Sequence, residues 1–117
     1  MSAVAESYRE QGFVVHSDPV IPKALVREAA EGMDAIRRGE YDRGQPPEPS
    51  PWNPGDSAST LCKIEQPQKA SQSVFDLISH SEIGRLAAEV TEAEWIQVWW
   101  VQPVSYTHLT LPTTPYV

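Results

Sequence analysis

Residues 95–102 (WIQVWWVQ) limit what this chain can fold into more than any other stretch. They hold no charge, proline or glycine and are rich in β-branched and aromatic side chains, which predicts a strand. Alternation sorts them into two faces: Trp95, Gln97, Trp99 and Val101 on one, Ile96, Val98, Trp100 and Gln102 on the other. Both faces are largely apolar, the pattern of a central strand covered on both sides. The other strands that the sequence offers, residues 13–16 (FVVH) and 61–65 (LCKIE), cannot cover both faces alone. The partners of the tryptophan strand are therefore expected outside this chain.

The tail of the chain supports the same expectation. Residues 104–117 (VSYTHLTLPTTPYV) read as the in-frame translation of a transposase-type sequencing adapter. The codons GTC TCT TAT ACA CAT CTG ACG CTG CCG ACG give residues 104–113 in order. Such a segment is set aside before a fold is argued. The expected domain organisation is thus native sequence over residues 1–103 and adapter over 104–117. The tail has no Asp, Glu, Lys or Arg, and the alternation Tyr106, His108, Thr110 otherwise suggests a frayed edge strand.

The remainder is long enough for one domain with one core. Nine Lys and Arg stand against 16 Asp and Glu, a net charge of −7, which argues against nucleic acid or an anionic membrane as a main partner. No apolar run approaches the length of a membrane span, and the N-terminus has neither a basic nor an apolar signal region. A single cysteine, Cys62, excludes an intrachain disulfide and suits a reducing compartment, so a cytoplasmic location is expected. Cys62 itself reads as a buried, inert thiol.

Residues 3–11 predict a short helix closed by Gly12. Asp18-Pro19 marks a turn, and Pro22 opens a helix over residues 22–38 whose apolar face is Val26, Ala29, Ala30, Met33 and Ile36. Glu28, Glu31 and Asp34 lie off that stripe and read as a solvated face rather than an acidic catalytic cluster. Residues 40–60 hold five prolines and two glycines and predict a long loop pinned by Tyr41 and Trp52. Helices are expected over residues 70–79, with Val74, Phe75 and Ile78 inward, and again after Ser81 as N-cap, with Ile83, Leu86, Ala87 and Val90 inward. His80 reads as the C-terminal residue of the first of this pair.

The order of these segments carries a resemblance. YREQGFVVHSDPVIP, a helix ending GMDAIRRGEYD, LCKIEQPQKA and AAEVTEAEWIQVWWVQ together resemble the N-terminal third of the phytanoyl-CoA dioxygenase family, over about residues 6–102. The resemblance implies an α+β fold: the N-terminal helices and first strands of a truncated double-stranded β-helix (jelly-roll) domain. It also implies a parent enzyme that binds Fe(II) and 2-oxoglutarate and hydroxylates a small organic substrate. Lys63 and Gln102 match family positions beside the cosubstrate, and Trp100 shares Gln102's face toward the substrate pocket. An outward-pointing surface lysine, a strand-end amide and a core tryptophan are the respective alternatives. The family's His-x-Asp motif, distal His and Arg lie beyond the tryptophan strand. This sequence departs from the family at Pro103, so none of those ligands stands at its family position and the chain as given is expected to be inactive.

His16-Ser17-Asp18 is literally His-x-Asp, but it lies far upstream of the family position, and Asp18 before Pro19 reads as a turn former. No Gly-rich phosphate loop, Cys-x-x-Cys or nucleophile elbow is present. The competing reading is a small acidic, non-catalytic binding protein that uses residues 95–100 as an apolar docking strand.

Overall fold

A computed structural model describes residues 2–57 and 59–105. The suggested strand alternation at residues 106–110, His108 and most of the adapter-like tail lie outside the described residues.

Helix α1 spans Ala3–Gln11. The Ser2 side chain caps it by accepting from the Ala5 amide at 3.1 Å, and Gly12 ends it in the left-handed region at φ 84°. Helix α2 spans Lys23–Arg37, with Pro22 one residue before the first helical position. Its stripe is only partly covered: Ala29 and Ile36 are buried, whereas Val26 is half exposed and Ala30 exposed. Glu28, Glu31 and Asp34 face solvent as the pattern demands.

The core sits where the C-terminal half of α2 meets the long loop and the segment after it. Ile36, Trp52, Cys62, Ile64 and Ala70 form one buried cluster, with Met33 and Tyr41 packed against it. Trp52 and Tyr41 thus pin the proline-rich loop, and the Arg37 guanidinium lies 5.1 Å from the centre of the Trp52 ring. Polar contacts close the rest of the loop. Arg43 donates to the Gln68 carbonyl at 2.8 Å, Asp42 accepts from the Gln72 amide at 2.9 Å, and Glu48 pairs with Lys69.

Strand β1 is Cys62–Lys63 and strand β2 is Val104–Ser105, paired antiparallel with Cys62 opposite Ser105 and Lys63 opposite Val104. The pairing extends past the strands. Ile64 donates to the Pro103 carbonyl at 3.2 Å and Gln66 to the Val101 carbonyl at 2.9 Å. A 3-10 turn, Pro67–Lys69, leads into helix α3, Gln72–Ile78, and helix α4 comes next over Ser81–Thr91. Helix α3 packs on α2, and α4 packs on α1, where Arg9 pairs with Glu92. Gly32 is the point of closest approach between α2 and the start of α3. A Cβ built there would stand 2.4 Å from the hydroxyl oxygens of both Ser71 and Ser73.

Several local expectations are corrected. Residues 13–16 form no strand, and Phe13 and Val15 are exposed. The strand expected over 61–65 shortens to Cys62–Lys63, with an isolated bridge between Glu48 and Glu65. Residues 95–103 are not in a strand either. For residues 13–16 and 95–100 the physical reason is shared: β propensity is expressed only where a neighbour supplies a ladder. His80, not Ser81, caps α4, its Nδ1 accepting from the Glu82 amide at 3.1 Å. The side chain therefore serves a helix N-terminus rather than the C-terminus of the preceding helix.

Candidate functional site

The segment Ile64-Glu65-Gln66-Pro67 determines how the tryptophan stretch is held. Lys63 and Glu65 are two residues apart on an extended backbone, so their side chains share a face. Gln66 then turns sharply, with φ 55° and ψ 52°, a left-handed conformation uncommon for a residue with a Cβ. That turn makes Gln66 a clamp. Its amide donates to the Val101 carbonyl, and its side-chain Oε1 accepts from the Val101 amide at 2.9 Å and from Gln68 Nε2 at 3.0 Å.

Held in this register, the three residues singled out from the sequence converge on one group, the Glu65 carboxylate. Gln102 Nε2 donates to Glu65 Oε1 at 2.7 Å, Lys63 Nζ stands 3.4 Å from the same oxygen, and the Trp100 indole N–H donates to Oε2. The Glu65 side chain is 13% exposed and that of Lys63 35%. The indole hydrogen bond, then the Gln102 amide, then the lysine hold the Glu65 carboxyl below the usual carboxylate range, against the opposing effect of burial. Glu65 was not among the residues expected to matter. The signal that could have found it is the Lys-x-Glu alternation, which puts an anion beside the cation on one strand face.

This depression sets the sign of the pH effect. A carboxylate whose pKa is depressed in the folded state stabilises that state above its unfolded value, and the contribution is lost as pH falls through the folded value. Glu65→Gln is expected to flatten the acid limb of the stability curve below about pH 4 while leaving the neutral limb parallel to that of the parent chain. Urea midpoints measured across the acid range check this.

Trp100 is half exposed and Gln102 is exposed, so neither is a core residue. An apolar groove of about 420 Å³ between α2 and α3 runs up to Gln102, walled by Val26, Met33, Val74, Leu77 and Pro103. Trp100 is not among its lining residues. Cys62 is buried, and burial raises its thiol pKa, an effect that Arg37 partly offsets. It is protonated at neutral pH and a poor nucleophile.

Chemically, Lys63, Trp100 and Gln102 form a set of donors suited to a carboxylate, and the carboxylate they hold is the chain's own. They fit one carboxylate of 2-oxoglutarate only if Glu65 gives way. Iron finds no fit: among the described residues no three His, Cys, Asp or Glu side chains cluster as metal ligands. His16 and Asp18 are both exposed, and His80 is engaged at its cap. Among the described residues no helix is long and apolar enough to cross a membrane. Comparison with protein-family profiles, with curated proteins and with solved structures finds no match to this chain.

Proposed function

We propose that residues 1–103 are the N-terminal part of a cytoplasmic Fe(II)- and 2-oxoglutarate-dependent oxygenase, akin to the phytanoyl-CoA dioxygenases, that hydroxylates a small organic substrate. The observation that carries this reading is the convergence of Lys63, Trp100 and Gln102, set by the Lys-Ile-Glu-Gln-Pro-Gln segment against Val101. On this reading Lys63 and Gln102 offer the cosubstrate a cation and an amide N–H, and Trp100 borders the substrate side. On this reading the iron ligands would come from sequence beyond residue 103, and iron held there would supply oxygen activation. The chain as it stands is then inactive.

The test is to sequence the gene in intact genomic DNA past the codon for Gln102. A frame that runs on into a His-x-Asp and a distal His supports the reading, and the complete protein should then consume 2-oxoglutarate in the presence of Fe(II). If residues 104–117 prove genuine and are followed by a stop, the oxygenase reading fails. A small acidic binding protein then takes its place, favoured by the exposure of Trp95 and Trp99, at 84% and 89%.

A further inference from the structure

From Glu94 to Trp99 the chain makes no hydrogen bond to the rest of the molecule among the described residues. This arm is fixed at one end by the Ala93 amide, which donates to the Ala88 carbonyl at 3.1 Å. The other end is held by the Trp100 indole on Glu65 and by the Gln66 clamp on Val101. Between those anchors it carries unpaired peptide groups and exposed apolar side chains. The face bearing Trp95 and Trp99 is the more open one, while Ile96 and Val98, on the opposite face, are 42% and 47% exposed. Unpaired backbone of this composition, with no charge, proline or glycine over residues 95–102, lacks the features that prevent edge-to-edge pairing once it is extended.

The sequence of the arm also specifies what it pairs with. Residues 95–99, Trp-Ile-Gln-Val-Trp, form a near-palindrome about Gln97. A two-fold interface must be self-complementary: if residue i meets j, then j meets i. Antiparallel pairing of two such arms with Gln97 opposite Gln97 puts Trp95 of each copy across from Trp99 of the other, and Ile96 across from Val98. Aromatic and β-branched cross-strand partners are the favourable combinations. The palindrome leaves no residue mismatched in this register and no like charges opposed. Pairing in this register covers the flanks of Trp95 and Trp99, which are 84% and 89% exposed, and those of Ile96 and Val98. We propose that the arm at residues 94–99 is a self-association strand whose occupant is a second copy of this chain, paired antiparallel about Gln97. This inference does not rest on the oxygenase reading and concerns the chain of 117 residues as given; in a longer oxygenase the strands that follow would cover the same residues, so the test is made on this chain and not on a longer gene product.

The test uses charge at the two-fold. Gln97→Lys places two lysines directly opposite one another, and Gln97→Glu two glutamates. Light scattering after size exclusion should give twice the 13.0 kDa chain mass for the parent, and the monomer mass for either variant with helical circular dichroism unchanged. An equimolar mixture of the two variants should recover the dimer, because opposite charges then face each other. Gln97→Cys in a Cys62→Ser background should cross-link through position 97 on mild oxidation. A parent that is monomeric at all concentrations overturns the proposal. So does a dimer that persists in Gln97→Lys, a mixture that stays monomeric, or an open-ended polymer in place of a closed pair.

Discussion

Ile64→Ala is expected to destabilise the fold by about 2–5 kcal/mol, the range for truncating a fully buried aliphatic side chain. Ile64 is 1% exposed and lies between Ile36, Trp52 and Ala70. The cavity would open where three segments distant in sequence meet, and none of them can close it alone. The α2 helix is stiff, the loop is stitched by Arg43 and Glu48, and the Ile64 amide is tied to Pro103. Limited collapse places the cost in the upper part of that range. A domain of this size has on the order of 5–15 kcal/mol in total, so the variant should be largely unfolded on modest warming. Val15→Ala, at a position 80% exposed, should change stability by less than about 0.5 kcal/mol. Paired urea melts with equal slopes distinguish a loss of packing from a change in the unfolded chain.

Gly32→Val should cost roughly 2–4 kcal/mol, from overpacking together with loss of a helix cap. The added carbons would collide with the hydroxyls of Ser71 and Ser73, which already lie 2.4 Å from the position of a Cβ. Ser73 can rotate away. Ser71 is 3% exposed and caps α3 by accepting from the Val74 amide, so moving its hydroxyl strips the cap. The small gain from removing a glycine inside a helix does not offset this. Gly84→Val is the control. It substitutes the same residue in α4 at a position with nothing within 4 Å, and it should be close to neutral. Thermal melts of the two variants side by side separate close helix approach from helix propensity.

Helices were legible in this sequence because their signals are local. Gly12, Pro22 and the three-and-four spacing of Ala29, Met33 and Ile36 each act within a turn or two of the residues that carry them. The strands were not legible, because Phe13-Val14-Val15 and Trp95 to Trp100 state a preference that only a distant neighbour can satisfy. Where such a neighbour exists, as Val101 and Pro103 do for Gln66 and Ile64, pairing appears; elsewhere the same composition stays exposed. The site was half legible for a related reason. Lys63, Trp100 and Gln102 stand out as donors of unusual placement, but the acceptor that gathers them, Glu65, looks from sequence like any surface carboxylate. Its role depends on a 35-residue return of the chain that no short-range pattern encodes.

The pairing of α1 with α4 sets an order of events during synthesis. Helix α1 has nine residues, too few to persist alone in water, and it rests against the helix that ends at Thr91. The segment that carries α1 therefore waits for α4, which is synthesised well after it, before it has a surface to settle on. The core around Ile36 and Ile64 can close in the meantime. The N-terminal residues are thus placed late, beside the root of the tryptophan arm, and a chain halted before residue 91 would carry a sequence for α1 without the helix it needs.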